Sequence, residues 1–389
     1  MLEAIFFFLI SVLMLSSLPF SGSLWIPAAV RIGVLLTLLA LSIAISWKKK
    51  PIFYFFLIYF PAAVILALLW RRNSPQSLPP ILYTISFVGF AVLLMHIARR
   101  LPLLPYLISR FLYLLVMFTA IMAVLSFLAF NLDLIPYKEI KLGDFDYYNF
   151  YYHPVFGYVA PKKFGDIEVG RIAGYMMEPS YTAWFLTSNF FIADKYFKHR
   201  GMPFLVSKVI IFAGAIATLS MGGLLVFGVV FLIMIAYGIL GKLNVGTKLK
   251  NIVIGTVMAL AFVGMLMVPK EQVSESLGNS SYGDRDARVQ SSFLILGTSG
   301  IVDLALGHSP GFIENSDLGK GESNQYMKLL VEEGIFISLL VIGWIVANTK
   351  KSKYYMLANL IFLSSVVILW TPLFIVNIMF CRWKDEGII

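Results

Sequence analysis

A cation and a carboxylate lie close together where a polar, aromatic loop runs into an apolar segment. This stretch occupies residues 170–194, with Arg171 near its start and Glu178 just before Pro179. Proline is favoured at the first helical position, because the N–H that it lacks would have had no partner there. We therefore expect a helix from about Pro179, whose positive dipole end makes a site for an anion together with Arg171. The same pattern also fits a simpler interpretation, in which Arg171 anchors a helix at a membrane boundary.

Three more arginines are expected on the same side of the apolar segments as Arg171, and they are Arg31, Arg285 and Arg288. Guanidinium groups bind phosphate oxygens through two parallel hydrogen bonds and keep their charge at every relevant pH. Together with helix N-termini, such a cluster suits a pyrophosphate. Taken alone, each arginine also fits a salt bridge or a headgroup contact. Arg31 lies about two turns into an apolar segment, so it either faces a polar cavity or extends back to the headgroups.

Glu178 is the first candidate for a general base, since it lies at a helix start, and His308 is the second. Two D-x-D triplets, at 144–146 and 284–286, resemble the metal-binding triplet of nucleotide-sugar transferases. Such triplets arise easily in polar loops, and the arginine at the centre of the second would repel a cation. We therefore expect neither a metal nor a cofactor.

The composition excludes an ordinary soluble domain. Hydrophobic residues make up 59% of the chain and charged residues 13%, whereas soluble domains typically carry about 25% charged residues. The net charge of +10 does not indicate a nucleic-acid partner, because the basic residues form short clusters between apolar runs. A single cysteine, Cys381, excludes an intrachain disulfide. The sequence predicts an all-α, polytopic membrane protein, with residues 1–389 forming one transmembrane domain.

Eleven apolar stretches are long enough to be candidates for crossing about 30 Å of hydrocarbon. They are residues 4–20, 24–46, 51–70, 79–98, 107–130, 179–194, 203–220, 222–241, 251–268, 325–347 and 355–379. The sixth is short and the eleventh contains Pro372, so these two are the weakest. The semi-apolar segment 289–306 is a poor spanning helix, and we expect it to lie along the interface or to pack back on the bundle.

The basic residues predict the orientation of the chain. If residue 1 lies inside, fifteen lysines and arginines fall in or beside the inner loops, against only Arg71 and Arg72 in the short outer loops. The fifteen are Lys48, Lys49, Lys50, Arg99, Arg100, Arg110, Lys195, Lys198, Arg200, Lys242, Lys248, Lys250, Lys350, Lys351 and Lys353. This asymmetry places the N-terminus in the cytoplasm and two long loops, about 131–178 and about 269–324, outside.

Each long loop has its own composition. The first is rich in aromatic residues: Phe145, Tyr147, Tyr148, Phe150, Tyr151, Tyr152, Phe156 and Tyr158. Tyrosines at a membrane surface typically form an interfacial belt, but the same mixture also suits a sugar-binding surface, and the spacing does not decide between them. The second loop ends at Ser323 and Asn324, either of which is a suitable N-cap for the tenth segment.

Motifs in both halves of the chain resemble one known family. R-I-A-G at 171–174, followed by E-P-S-Y at 178–181, resembles the R-x-x-G…E-P-S signature of Wzy-type polysaccharide polymerases in the O-antigen polymerase and ligase superfamily. Arg288, the turn L-G-H-S-P-G at 306–311 and the run from Glu322 to Gly334 are similar to the family's outer-loop arginine, glycine-rich turn and N-x-Y…E-x-G helix start. The resemblance covers about residues 170–345, and the rest matches only as a hydrophobic profile.

The resemblance implies a GT-C-like, metal-independent glycosyltransferase of the bacterial cytoplasmic membrane. It would move a growing glycan from a polyprenyl diphosphate onto the next lipid-linked repeat unit. On this basis Arg171 and Arg288 hold the diphosphate, and Glu178 orients or deprotonates the acceptor hydroxyl. The remaining residues expected to bind substrate are Arg31, Arg285, Tyr181, His308, Asn324 and Tyr326. The implied partners are lipid-linked glycans, membrane lipids, and a flippase and a chain-length regulator of the same pathway.

Two departures from the family pattern affect this interpretation. Many relatives have Ser-Arg where this chain has Ser220-Met221, so the role of that arginine is not filled. Ligases of the superfamily commonly have a histidine where this chain has Ser323, which favours a polymerase over a ligase. A flippase or transporter of lipid-linked oligosaccharides is a third hypothesis. It would favour charges deep in the bundle, whereas the polar residues here are concentrated in two outer loops.

Overall fold

The computed structural model describes residues 1–16, 26–46, 50–73, 78–140, 150–164, 167–242, 246, 280–315, 324–369 and 371–389. Within these ranges the protein is mostly helical. The helices are α1 (Leu2–Ser16), α2 (Ala28–Ser46), α3 (Lys50–Asn73), α4 (Leu78–Arg100), α5 (Leu103–Asn131), α6 (Pro179–Phe191), α7 (Met202–Ala217), α8 (Met221–Lys242), α9 (Ser280–Thr298), α10 (Ile301–Leu306), α11 (Phe312–Asn315), α12 (Gln325–Glu332), α13 (Gly334–Thr349), α14 (Lys353–Phe362) and α15 (Pro372–Asp385).

Three of the described helices contain a stretch that is long and apolar enough to cross a membrane. These stretches are Pro80–Arg100 in α4, Leu103–Asn131 in α5 and Met221–Leu240 in α8. Shorter apolar helices, among them α1, α7 and α13, fall on other predicted segments. The structure is therefore compatible with a helical membrane protein, but it does not confirm about eleven spans. The predicted segment 251–268 lies outside the described residues.

Two of the predicted segments and the semi-apolar segment are divided in the structure. The tenth segment breaks between α12 and α13 at Gly334, which has a φ of 77°. The eleventh, residues 355–379, is two helices rather than one. Its second part, α15, begins at Pro372, and Thr371 caps it by accepting a hydrogen bond from the N–H of Phe374 at 3.2 Å. The semi-apolar segment 289–306 is also divided, because α9 ends at Thr298 and α10 begins at Ile301. Helix α10 packs against α13.

The first predicted outer loop folds into a small antiparallel sheet, so the prediction of an all-α protein is incomplete. Its strands are β1 (Lys138–Ile140), β2 (Phe150–His153), β3 (Gly157–Phe164) and β4 (Ile167–Gly174), and they pair in chain order. Successive side chains of a strand point to opposite faces. One face buries Phe150 and Tyr158, and the other packs Val159 and Ile172 into the main core next to α5. Two of the predicted aromatic residues therefore serve packing rather than a surface belt.

Charged side chains from distant parts of the chain meet at one end of the bundle. Lys195 Nζ lies 2.5 Å from Asp385 Oδ1, Arg99 Nη2 lies 2.9 Å from Glu386 Oε2, and Lys351 Nζ donates to the carbonyl of Asp385 at 3.0 Å. The three cations belong to three predicted inner loops. We call this end the network end, and its cytoplasmic location stays a prediction.

The sheet lies at the opposite end of the bundle. Helix α5 begins near the network end, where the N–H of Leu103 donates to Glu3 Oε1 at 3.1 Å. It has 29 residues, which correspond to a length of about 43 Å. Its last residue, Asn131, contacts Gly170 of β4. We call this second end the sheet end. The predicted site residues on the two long loops lie at this end.

Candidate functional site

Strand β4 carries Arg171, and its backbone is fixed from both sides. Arg171 pairs with Ala160 in the register of β3 and β4. The preceding residue, Gly170, donates its N–H to Asn131 Oδ1 at 2.8 Å, and its carbonyl accepts from Asn131 Nδ2 at 3.4 Å. A Cβ on Gly170 would lie 2.3 Å from the ring of Phe130, so only glycine allows this approach. The guanidinium of Arg171 is partly buried and lies on the face opposite Gly170.

The helix predicted from Pro179 begins at that residue, which confirms its start. Pro179 is the first residue of α6 and Glu178 is its N-cap. Thr182 Oγ1 donates to the carbonyl of Ala173 at 2.6 Å, which ties the first turn of α6 to the end of β4. The carboxylate of Glu178 does not cap the helix. It accepts a hydrogen bond from Ser180 Oγ at 3.0 Å, and Tyr181 beside it is half-buried.

The second group of predicted residues begins on α9. Arg288 lies in this helix and its side chain is partly buried. Arg285 lies three residues earlier in the same helix, and its side chain is outside the described part. After α9 and α10 the chain turns at Gly307, which has a φ of 80°, and a Cβ there would lie 2.2 Å from the carbonyl of Glu332. Glycine is thus required where this turn crosses the end of α12.

His308 follows that turn and is held by three contacts. Its N–H donates to the carbonyl of Val331 at 2.9 Å, and its ring stacks on Phe312 with centroids 4.4 Å apart. Its Nε2 lies 2.7 Å from Ser299 Oγ, and that hydroxyl itself donates to the carbonyl of Ile295. A hydroxyl that donates to Ile295 can only accept from Nε2, so this arrangement favours the tautomer with the proton on Nε2. Burial lowers the pKa of His308, and Asp303 opposes the shift.

Helix α12 is capped by one of the two residues that the sequence offers as N-caps. Asn324 Oδ1 accepts from the N–H groups of Tyr326 and Met327 at 3.0 and 3.3 Å, which confirms Asn324 as the cap. The hydroxyl of Tyr326 donates to the carbonyl of Leu360 in α14 at 2.6 Å. Both side chains therefore have structural contacts, and their binding to a substrate stays a prediction.

Arg31 lies apart from these two groups, on α2. Its guanidinium is within electrostatic range of Tyr83 in α4. The Nε atom of Arg31 is buried and has no hydrogen-bond partner among the described residues. That Arg31 faces a polar cavity rather than the headgroups stays a prediction, and no contact of Arg31 with the long loops is observed among the described residues.

The predicted residues thus form two units at the sheet end. The strand–helix unit consists of β4 and α6, and it carries Arg171, Glu178 and Tyr181. The loop–helix unit consists of α9 to α12, and it carries the other residues on the predicted loop. Both units contact α14: Trp184 Nε1 of α6 donates to Asn359 Oδ1 at 2.9 Å, and Tyr326 of α12 reaches Leu360. That their arginines share one hollow stays a prediction.

No group of three or more histidine, cysteine, aspartate or glutamate side chains within metal-binding range occurs in the described part of the chain. Of the two D-x-D triplets, 144–146 lies outside the described residues, and the side chains of 284–286 do as well.

Sequence reasoning missed the residues that hold these units in place. Asn131 ends a long apolar helix and gives no sign that it pairs with a strand 39 positions later. Glu332 is 1% exposed, and its Oε1 accepts from the N–H of Ile313 at 3.2 Å while its Oε2 lies 3.9 Å from Lys328 Nζ. One signal was available in the sequence: Lys328 and Glu332 are four residues apart, which is the spacing of an ion pair on a helix.

Comparison of the chain with protein-family models, with curated proteins and with solved structures found no match. The family resemblance therefore depends on the short motifs in the sequence. The arrangement at the sheet end must be interpreted from its own chemistry.

Proposed function

We propose that this protein is a membrane glycosyltransferase that polymerises lipid-linked glycan repeat units. It moves the growing chain from a polyprenyl diphosphate onto the next lipid-linked unit at the outer face of the cytoplasmic membrane. One observation carries the proposal: β4 and α6 present Arg171 and Glu178 on one short, hydrogen-bonded connection at the start of an apolar helix. The motifs shared with polysaccharide polymerases occupy this same connection.

The chemistry of the transfer explains why such residues are needed. The acceptor hydroxyl oxygen forms a bond to the anomeric carbon, and the bond from that carbon to the diphosphate breaks with its electron pair on the leaving group. Negative charge therefore grows on the diphosphate, and a fixed guanidinium stabilises it more in the transition state than in the ground state. In this proposal Arg171 and Arg288 hold the diphosphate, and Glu178 orients the acceptor hydroxyl or accepts its proton.

The test compares the surface glycans of cells that carry the wild-type gene, a deletion or single variants. Deletion of a polymerase leaves one repeat unit on the final anchor. Deletion of a ligase leaves long chains on the lipid carrier, and deletion of a flippase leaves repeat units on the inner face. The last two patterns would contradict the proposal and identify the alternative.

Single arginine variants test the assigned roles. We expect Arg171→Ala and Arg288→Ala to reduce polymerisation by at least about a hundredfold, since loss of one preorganised donor costs about 3 kcal/mol. The matched control is Arg100→Ala, an exposed arginine near the network end. All three proteins must be present in the membrane at wild-type levels. A normal glycan ladder from both site variants refutes their assignment.

A further inference from the structure

An apolar slot of about 330 Å³ lies between α3, α4 and α13. Its lining on α3 runs from Tyr59 through Ala63 to Trp70, and these residues are joined by Val88 of α4 and Trp344 of α13. From Tyr59 to Trp70 the helix rises about 16 Å. The slot is therefore long and narrow, and it runs along the helices.

Two polar groups that line the slot, on Tyr59 and Trp70, are occupied by the protein itself. The hydroxyl of Tyr59 donates to the carbonyl of Ile85, and Trp70 Nε1 donates to the carbonyl of Leu306 at 2.8 Å. Since these donors are already paired, an occupant gains no hydrogen bond from them. The chemistry of the slot accordingly selects a hydrocarbon chain.

The slot is open to the side between two apolar helix surfaces. Next to it, Val64 and Leu68 of α3 and Leu339 of α13 are more than half exposed, and Leu340, which lines the slot, is 73% exposed. Such surfaces are stable in contact with lipid. A chain from the bilayer can therefore enter the slot without crossing any polar surface.

A charge marks one end of the slot. Arg71 follows Trp70, its side chain is exposed, and it has no ion-pair partner among the described residues. It is also one of the two cations in the predicted short outer loops, where basic residues are otherwise rare. This end of the slot lies away from the network end. Trp70 contacts Leu306, and α13 starts next to that residue, whereas Asn348 at the other end of α13 contacts Arg382.

We propose that the slot binds one acyl chain of a glycerophospholipid from the leaflet at the sheet end, with the lipid phosphate at Arg71. The slot length of about 16 Å matches one leaflet, which is half of a hydrocarbon core of about 30 Å. The carboxylate of Asp303 lines the adjoining hollow with Leu69. Its negative charge disfavours a diphosphate at this mouth, so a phosphodiester with one charge fits better than the polyprenyl diphosphate proposed as the substrate.

Native mass spectrometry of the purified full chain tests this site. The protein in detergent micelles is titrated with palmitoyl-oleoyl phosphatidylglycerol. We expect Ala63→Phe, which fills the slot, and Arg71→Gln, which removes the phosphate contact, each to weaken binding of one lipid about tenfold or more. The controls are Leu114→Phe, on an exposed face of α5 that does not line the slot, and Arg100→Gln, at the other end of the bundle. Both controls are expected to bind as the wild type does.

Three outcomes would overturn the proposal. The first is wild-type protein without a stoichiometric lipid, and the second is equal binding by Ala63→Phe, Arg71→Gln and the wild type. The third is displacement of the phospholipid by a polyprenyl phosphate at lower concentration, which would assign the slot to an isoprenoid chain. Because Arg71 is exposed, Arg71→Gln keeps the test valid even if Ala63→Phe does not fold. The result is independent of whether the protein polymerises glycans.

Discussion

The two units at the sheet end hold their predicted site residues by different means. The strand–helix unit uses uncharged side chains that bond to the backbone, with Asn131 on Gly170 and Thr182 on Ala173. The loop–helix unit uses buried charges, since Glu332 accepts from the N–H of Ile313 and faces Lys328. Neutral contacts each contribute little net stability, whereas a buried charge is costly once its partner is removed.

This difference indicates what each unit can tolerate. The position of Arg171 is fixed by contacts whose strength does not depend on pH. The turn that carries His308 packs on α12, whose buried Glu332 carboxylate must keep its contacts with the Ile313 N–H and Lys328. We therefore expect the loop–helix unit to respond strongly to changes of charge, and the strand–helix unit to respond mainly to loss of single hydrogen bonds.

The largest expected effect is that of Glu332→Ala. The change leaves the N–H of Ile313 and the partly buried ammonium of Lys328 without this carboxylate, and breaking a buried pair typically costs about 3 kcal/mol or more. Thermal unfolding of the purified protein in detergent measures the loss. The matched control is Glu314→Ala, which removes the other acid paired with Lys328, because that side chain is 48% exposed. Equal destabilisation by the two variants would contradict the role given to Glu332.

Asn131→Ala is expected to have the next largest effect. It removes the only described side-chain acceptor of the Gly170 N–H and costs about 2 kcal/mol, since a buried donor is left unpaired. Hydrogen exchange of β4 measures this change locally, and we expect faster exchange at Gly170 and Arg171 than in α9. Asn131→Asp keeps the oxygen that accepts from the Gly170 N–H but loses both contacts of Nδ2, with the carbonyls of Phe127 at 3.0 Å and Gly170 at 3.4 Å. It should therefore protect β4 better than alanine does.

The two units also show which features could be predicted from the sequence. Signals that act within a few residues were interpreted correctly: Pro179 marks the start of α6, and Asn324 caps α12. Both depend on local backbone groups, which a sequence pattern predicts well. The network end gathers three cations that their positions between apolar segments had assigned to inner loops, and the cytoplasmic location of this end stays a prediction.

Contacts between distant residues were not predictable in the same way. The sheet depends on pairing across strands and on the approach of Gly170 to α5, and neither leaves a local pattern in an aromatic loop. Pro372 marked the last predicted segment as weak, but its division into two helices was not predicted, because its hydrophobicity is continuous on both sides of that residue. The residue types of the candidate site were evident from the sequence, but the residues that hold them in place were not. Asn131 lies 39 positions before Gly170, and Thr182 lies 9 positions after Ala173.

Thr182→Val sharpens the comparison with a smaller change. Valine has nearly the same shape but cannot donate to the carbonyl of Ala173, so we expect a loss of about 1 kcal/mol. Thr182→Ser keeps the hydroxyl and is the control. If Thr182 only fills space, valine should be tolerated better than serine in thermal unfolding. The opposite order supports a hydrogen bond that joins α6 to β4.

The smallest expected effect is a pH dependence confined to the loop–helix unit. Burial lowers the pKa of His308 below its usual value of about 6.5, so the folded protein binds a proton there less readily than the unfolded chain does. The stability from this group is complete above about pH 6.5 and is lost as the pH falls from there through the lower pKa of the folded state.

The measurement is the difference in thermal midpoint between the wild type and His308→Gln at several pH values from about 7.5 to 5. Glutamine can still donate to Ser299 but does not titrate, so subtraction of the two curves removes the contributions of the neighbouring Asp303, Glu314, Lys328 and Glu332. We expect the wild type to lose more stability than the variant on acidification. Parallel curves would mean that His308 is not constrained by burial. The two units would then differ less in their response to charge than their contacts indicate.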